Sequence, residues 1–290
     1  HSFSQLAKAE SGDAHAASTL PATGGHDEPD AAAQAPVVDP DFDPRFAGNR
    51  YGVALHAALE HAEFAAWDGW RDGAAAPDDE ATVIVEALRE QGYADGVLDD
   101  GIALTTKLIG HTLTVALPEG VRLCAVPADQ RRAEIEFQFV LQSTQVEALL
   151  ALLHRHGVVR ERDRFGARQR LEGLMTGFID LVYEHGGRYY LLDYKSNQLP
   201  DYGDDALADA IAHSEYDLQY LLYTVALHRW LGFRLPGYDY GRHFGGVRYL
   251  FCRGLQAGRA DSPGVFASLP PRALVESLDA LLRLPVEASP

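Results

Sequence analysis

The chain has 290 residues, 47% of them hydrophobic, which allows one large domain or two small ones. Its 25 basic and 42 acidic residues give a net charge of -17, which by itself argues against nucleic-acid binding. Bound metals, a local basic strip or a second polypeptide would have to offset that charge. Two cysteines, Cys124 and Cys252, are too few for a disulfide framework or a zinc site, and we predict packing roles for both in a cytosolic protein.

The N-terminal segment differs in composition from the rest of the chain. Residues 1–45 are rich in Ala, Asp, Pro and Gly and show no helix or strand periodicity, so we predict a disordered linker or arm. Residues 46–290 are expected to form the functional domain. His1 stands where an initiator methionine would, and we expect the chain to be a fragment of a larger protein.

Helical patterns dominate the next hundred residues. Residues 51–67 place apolar side chains at helical spacing, with His56 beside the apolar stripe. By itself a histidine on a helix is more often structural than a metal ligand. Residues 78–91 are predicted to form a second helix, and residues 101–117 are compatible with either a helix or a strand.

A strand, a helix and a basic segment are predicted in the middle of the chain. Residues 133–140 alternate polar and apolar side chains, which predicts a half-buried strand carrying Glu134. An exposed strand acid and a functional acid are equally compatible with that position. Residues 140–156 are predicted to form a helix. The arginine-rich stretch 160–170 is the best candidate for contact with phosphates, although a solvated loop explains it equally well.

The stretch that follows is predicted to form a β-hairpin. Its arms, residues 176–183 and 188–195, are rich in aromatic and branched side chains, and Gly186-Gly187 lies between them. A four-residue loop would pair Tyr183 with Arg188. Because side chains alternate along a strand, this register decides which residues share a face.

In that register Asp180, Asp193 and Lys195 project from one face, within about 7 to 8 Å of one another. Buried carboxylates at that distance repel each other unless a cation lies between them. Magnesium takes oxygen ligands and is typically held by one or two carboxylates, which suits so sparse a site. The lysine would hold the attacking water or offset charge on a reacting phosphate.

Two other interpretations of these three residues remain open from the sequence. An Asp/Lys ion pair on an exposed sheet face is common and contributes little to stability. A pair of acids also suits an acid/base glycosidase, although that reaction explains neither the lysine nor a metal.

Beyond the hairpin, residues 217–231 are predicted to form a helix with an apolar stripe. Gln219 and Tyr223 lie four residues apart and share a face of that helix. On a core-facing helix such a pair is usually a packing detail. Three further elements complete the prediction: a loop or short helix over 198–212, a strand over 247–251 and a helix over 271–284.

The hairpin resembles one known family. An acid on one strand followed by Asp-x-Lys on the next is the pattern of the PD-(D/E)xK nucleases. The segments Gly177-Phe-Ile-Asp-Leu-Val and Leu191-Leu-Asp-Tyr-Lys-Ser-Asn resemble the C-terminal nuclease domain of the RecB family, the beta subunits of exodeoxyribonuclease V.

Three motifs outside the hairpin extend this resemblance. Gly52-Val-Ala-Leu-His56 is similar to the family's Gly-Thr-x-x-His motif, with Val53 in place of the threonine that would support the histidine. The strand carrying Glu134 is similar to a Glu-x-x-Phe strand, and Glu134 matches the family's acid. Gln219 and Tyr223 match a Gln-x-x-x-Tyr motif that borders the family's active site.

The resemblance implies an α/β, restriction-endonuclease-like PD-(D/E)xK core, with a central mixed β-sheet flanked by α-helices. It implies metal-dependent hydrolysis of DNA phosphodiester bonds, with one or two Mg2+ ions and Mn2+ as a substitute. The implied metal ligands are His56, Asp180, Asp193 and the backbone carbonyl of Tyr194. The implied catalytic residues are Asp180, Asp193, Lys195, Gln219 and Tyr223, and the part played by Glu134 stays open.

The same resemblance implies a biological setting. We expect a bacterial cytoplasmic enzyme that processes DNA double-strand breaks as part of a RecBCD-type helicase-nuclease. Its partners would be single- and double-stranded DNA, the helicase portion of the same polypeptide and RecC/RecD-type subunits, with no membrane. The alternative is a catalytically silent nuclease-like module that binds DNA or protein.

Overall fold

The computed structural model describes residues 42–159, 170–214 and 216–283. Its centre is a five-stranded mixed sheet in the order β1-β2-β3-β4-β5. The β3–β4 pair is parallel and the other three neighbouring pairs are antiparallel. The strands are β1 (Arg131–Gln145), β2 (Arg170–His185), β3 (Arg188–Lys195), β4 (Phe244–Phe251) and β5 (Val265–Ser268).

Helices cover both faces of this sheet, and each face has its own hydrophobic core. The first core contains residues of α4 (Val146–Arg155), α5 (Asp204–His213), α6 (Tyr216–Arg234), α7 (Tyr240–His243) and α8 (Arg272–Leu281). The second core contains residues of α1 (Gly48–His61), α2 (Glu80–Glu90) and α3 (Asp95–Thr114). Short 3-10 helices lie at Pro44–Phe46, Phe64–Trp67, Leu123–Ala125 and Ala128–Gln130. The predicted fold class, a mixed sheet flanked by helices, is confirmed.

Several predicted elements need correction in extent. Residues 101–117, left open between helix and strand, lie largely in the helix α3. The helix predicted to start at residue 140 is wrong at its beginning, because β1 continues to Gln145 before α4 starts. The segment 198–212, predicted as a loop or short helix, contains α5.

The hairpin loop has two residues, not four. His185 pairs with Arg188, and Leu181 pairs with Leu192. Gly186 and Gly187 both have positive φ values, 60° and 75°, as a two-residue turn with the twist of a hairpin requires. The observed pairing differs from the predicted one by two residues. Because this number is even, every side chain keeps the face of the sheet that was predicted for it.

The domain boundary predicted at residue 46 stays a prediction, because residues 1–41 lie outside the described part of the chain. The predicted arginine strip falls mostly on residues 160–169, which also lie outside it. Cys124 and Cys252 are both buried, in agreement with packing roles. No helix in the described ranges combines the length and the apolar character needed to cross a bilayer.

Candidate functional site

The hairpin brings two acids together at the centre of the sheet. Continuing the β2–β3 register by one pair beyond Leu181 and Leu192 places Asp180 opposite Asp193. Both side chains are buried. The backbone N–H of Tyr194 donates to Oδ2 of Asp180 at 2.8 Å, which fixes that carboxylate against β3.

Helix α1 adds a histidine to this pair from the second face of the sheet. Tyr51, Leu55 and Leu59 anchor the helix in the second core. This leaves Nδ1 of the buried His56 at 3.4 Å from Oδ2 of Asp180. The imidazole also meets the ring of Tyr194 edge-on. The structure therefore places the predicted helix histidine beside a predicted carboxylate.

Lys195 projects from the same face of β3 as Asp193 and is 2% exposed. Its Nζ lies 2.5 Å from Oδ1 of Asp193, and the ring centroid of Tyr216 lies 4.2 Å away on another side. The ammonium group of Lys195 and the carboxylate of Asp193 form a close, buried ion pair. The lysine is held by charge and by an aromatic ring.

Gln219 connects Lys195 to helix α6. Its Oε1 accepts hydrogen bonds from Nζ of Lys195 at 3.3 Å and from the hydroxyl of Tyr249 at 2.6 Å, and its Nε2 donates to the hydroxyl of Tyr223 at 3.3 Å. Tyr223 in turn packs edge-on against Phe137. Gln219 therefore contacts the lysine directly and links it to Tyr223.

Glu134 lies opposite Asp180 in the β1–β2 register, at a break in the regular pairing. The pairs on either side are Ala133 with Leu181 and Ile135 with Ile179, and Glu134 has a φ of 47°. A left-handed conformation is uncommon for a residue with a side chain, and such strained residues recur at functional sites. Glu134 and Asp180 line one small cleft together with His56 and Glu60.

The acids of this cluster do not titrate normally. Burial raises the pKa of Asp193 to about 7, with the charge of Asp180 adding to the effect and Lys195 opposing it. Burial and the charge of Asp180 likewise raise the pKa of Glu134 to about 7. Burial also opposes the ionisation of Asp180, but His56, Lys195 and the Tyr194 N–H outweigh it and hold the pKa of Asp180 below its usual range.

The pKa values of Asp193 and Lys195 are both raised, but for different reasons. Burial acts to lower the pKa of Lys195, but the charges of Asp193 and Asp180 outweigh it and raise that pKa. The raised pKa of Asp193 reflects a surplus of negative charge in the same space. The two raised pKa values are compatible if Asp180 remains ionised. When Asp193 is protonated, the carboxylate of Asp180 is still a negative partner for Lys195. We conclude that the cluster carries more carboxylates than its lysine can balance.

This surplus fits a bound divalent cation. The donor set of carboxylates and an imidazole is suited to a hard metal ion. As the side chains now lie, no group of three or more His, Cys, Asp or Glu within the described ranges is close enough to hold a metal. The ammonium group of Lys195 lies beside Asp193, where a bound metal ion would also lie.

Sequence reasoning assigned no role to three residues that the structure places at this cluster, Glu60, Tyr216 and Tyr249. Glu60 follows His56 by four residues on α1, a spacing that could have identified it. Tyr249 lies beside Asp193 through the parallel β3–β4 register, which connects segments far apart in the chain. No local signal in the sequence identifies Tyr216 or Tyr249 as neighbours of Lys195.

Comparisons with known proteins give matches over most of the chain. A family model described as the PD-(D/E)XK nuclease superfamily matches residues 32–273. The RecBCD enzyme subunit RecB of Haemophilus influenzae is 35% identical over 240 residues, covering 81% of this chain and 18% of the relative. The protein of the same name from Escherichia coli strain K12 is 35% identical over 257 residues, covering 85% of this chain and 20% of the relative.

A third relative matches a shorter stretch at higher identity. The RecBCD enzyme subunit RecB of Mycobacterium tuberculosis strain H37Rv is 46% identical over 134 residues, covering 41% of this chain and 12% of the relative. The chain spans about a fifth of the length of the first two relatives.

Proposed function

Because the chain belongs to the PD-(D/E)XK nuclease superfamily, we propose that it hydrolyses DNA phosphodiester bonds with the help of a divalent metal ion. The recognition of a RecB-type nuclease domain from its motifs is confirmed by the family match and by the relatives. The observation that carries the proposed activity is the burial of Asp180, Asp193 and Lys195 in one cluster next to His56.

We propose His56, Asp180, Asp193 and the backbone carbonyl of Tyr194 as the ligands of Mg2+, with Mn2+ as a substitute. When bound, the ion polarises the scissile phosphate and lowers the pKa of a coordinated water. Glu134 lines the same cleft as His56 and Asp180, and we propose that its carboxylate also faces the ion. The surplus negative charge of the cluster supports this assignment.

The raised pKa of Lys195 limits what this residue can do. A lysine that stays protonated at neutral pH can donate hydrogen bonds but cannot take a proton from water. Lys195 therefore orients the attacking water or stabilises charge on the reacting phosphate. Gln219 and Tyr223 act behind it: the amide oxygen of Gln219 fixes the position of the ammonium group, and Tyr223 fixes the amide.

The relatives support a proposal for the setting of the reaction. We propose that the domain degrades DNA ends during double-strand break processing in a bacterial cytoplasm. In that setting it would act on single- and double-stranded DNA as the nuclease part of a larger helicase-nuclease, with RecC/RecD-type subunits. Those partners would also deliver the substrate to a chain whose own net charge of -17 opposes DNA binding.

A cleavage assay tests the proposed activity. Linear single- and double-stranded DNA are incubated with the wild-type chain and with Lys195→Ala, with and without Mg2+, and circular dichroism verifies that both proteins are folded. We expect oligonucleotide release only from the wild type with metal. Absence of release from a folded wild type, with both DNA forms and both Mg2+ and Mn2+, would favour the catalytically silent module.

A further inference from the structure

A groove on the first face of the sheet combines arginines with aromatic rings. It lies where the start of β1, the loop end of the β2–β3 hairpin and the C-terminal end of α6 meet, and its volume is about 170 Å3. We call it the Trp230 groove and define it by Arg132, Tyr189, Trp230 and Arg234. None of these residues has a part in the site described above.

The charge of the groove is unusual for this protein. Arg132 and Arg234 are both exposed, in a chain of net charge -17. Within the described ranges neither guanidinium has a carboxylate within 4.0 Å, unlike the paired arginines at positions 45, 122, 229, 248 and 272. Two acids, Asp129 and Glu184, also line the groove, and within the described ranges neither forms an ion pair with Arg132 or Arg234. The two arginines are therefore available to an anion.

The rings of the groove are accessible as well. Tyr189 and Trp230 are half-buried, so each rests on the core and still presents part of its ring to solvent. The guanidinium of Arg234 lies 5.8 Å from the centre of the Trp230 ring, a cation–π contact that holds both side chains in place. Aromatic rings beside arginines are the arrangement with which proteins bind single-stranded nucleic acid, because bases stack on the rings while phosphates meet the cations.

The groove is close to the candidate catalytic cluster. Arg132 precedes Glu134 by two residues on β1, and it pairs with Val182, two residues beyond Asp180 on β2. Two residues of a strand span about 7 Å. A DNA strand with a phosphate at Asp180 would thus have its neighbouring nucleotides within reach of the groove.

We propose that the Trp230 groove binds single-stranded DNA next to the phosphate being cleaved. Bases stack on Trp230 and Tyr189, and the phosphates of the same strand contact Arg132 and Arg234. The location rests on the proposed nuclease function, whereas the binding itself does not depend on cleavage. An acidic segment of a protein partner would meet the same arginines without stacking on the rings, and it is the competing occupant.

Tryptophan fluorescence provides a direct readout. Of the three tryptophans in the chain, Trp67 and Trp70 are buried and Trp230 is half-buried. We titrate oligo(dT) into the wild-type chain in EDTA, so that no cleavage occurs, and expect quenching of the emission. Trp230→Leu should abolish the quenching and weaken binding, measured by anisotropy of a labelled oligo(dT), by at least about 5-fold. Trp230→Phe, which keeps a ring, should restore most of the affinity.

The arginines are tested through salt dependence. The double variant Arg132→Gln/Arg234→Gln should reduce the slope of log affinity against log salt by about 1.4, the value for two phosphate contacts on a single strand. A control, Arg89→Gln/Arg259→Gln, removes the same charge at exposed positions outside the groove and should leave the slope unchanged. Thermal melting verifies that all variants are folded.

The outcomes separate this proposal from the proposed function. Equal binding by wild type and groove variants, or quenching by poly-glutamate as strong as by oligo(dT), overturns the groove proposal even if the chain cleaves DNA. Quenching and reduced slopes in a chain that cleaves nothing support the groove as a DNA site and overturn only the proposed activity.

Discussion

The hydroxyl of Tyr249 donates a 2.6 Å hydrogen bond to Oε1 of Gln219, the same oxygen that accepts from Lys195. This buried tyrosine therefore positions the lysine in two ways, through the glutamine and through its ring, whose centre lies 5.1 Å from Nζ of Lys195. We expect Tyr249→Phe to lower kcat about 5-fold, the effect of one net hydrogen bond, with little change in the affinity for metal. Steady-state cleavage and calorimetric metal titration measure the two quantities.

A matched control for this variant is Tyr220→Phe. Tyr220 is also buried and packs edge-on against Tyr249, so Tyr220→Phe removes a neighbouring hydroxyl and leaves the Tyr249 hydroxyl in place. It should leave kcat within about 2-fold of the wild type. Equal losses in the two variants would point to a general effect of core packing and remove Tyr249 from the positioning of Lys195.

The surplus negative charge predicts opposite stability changes for the two members of the Asp193–Lys195 pair. Without metal at pH 8, Lys195→Met removes the cation from two buried acids and should lower the free energy of unfolding by about 3 kcal/mol or more. Asp193→Asn should leave stability unchanged or raise it, because Asp180 still balances the lysine. Both variants should lose cleavage. Urea unfolding in EDTA measures the stabilities, and a large loss for Asp193→Asn would contradict the charge assignment.

The raised pKa of Asp193 predicts a pH dependence of stability with a definite sign. In the folded metal-free protein this pKa is about 7, whereas the ordinary value is 3.8. Between these two pH values the folded state holds a proton on Asp193 that the unfolded state has lost. The contribution of this group to the free energy of unfolding therefore falls as pH rises from about 4 to 7, and it does not change further above pH 7. Asp193→Asn removes the effect. The difference in unfolding free energy, wild type minus Asp193→Asn, should therefore fall across that range.

This difference must be measured between pH 4.5 and 8 in EDTA, because other acids of the protein titrate with the opposite sign. The Asp279 carboxyl, for example, has a pKa held below its usual range by its hydrogen bonds to Arg229 and Arg283, which outweigh the effect of burial. Subtracting the variant cancels such groups. A flat difference curve would show that Asp193 is ionised throughout this range.

The contact between His56 and Asp180 predicts a role in metal affinity. His56→Ala should weaken Mg2+ or Mn2+ binding by about 10- to 100-fold, and excess metal should partly restore cleavage. His61→Ala is the matched control, since His61 is an exposed histidine at the end of the same helix. Calorimetric titration at pH 8 compares the three proteins. Equal affinities for wild type and His56→Ala would exclude His56 as a ligand.

The sequence predicted the members of the site better than the contacts among them. Alternation along the strands correctly placed Asp180, Asp193 and Lys195 on one hairpin, and that result survived a loop shorter than expected because the error was even. The Gly186-Gly187 pair is typical of a two-residue turn, because both turn positions need positive φ values. This signal is stronger than any that favours a four-residue loop.

Other features had no local signal. The extension of β1 through residues 140–145 overrode a helical pattern, since pairing with β2 supplies backbone hydrogen bonds that the isolated segment lacks. The position of Tyr249 depends on the parallel β3–β4 pairing, which joins segments more than 50 residues apart. The left-handed φ of Glu134 is likewise set by tertiary structure, because nothing in a Glu-x-x-Phe pattern requires it.

The two hydrophobic cores have a consequence for when this protein can be active. His56 belongs to a helix anchored in the second core, while Gln219, which positions Lys195, belongs to a helix of the first core. A chain in which only one core has formed would hold either the histidine or the lysine in place, but never both. Under the proposed function, cleavage would therefore require both cores to be folded, and a half-folded chain would leave the DNA around it intact.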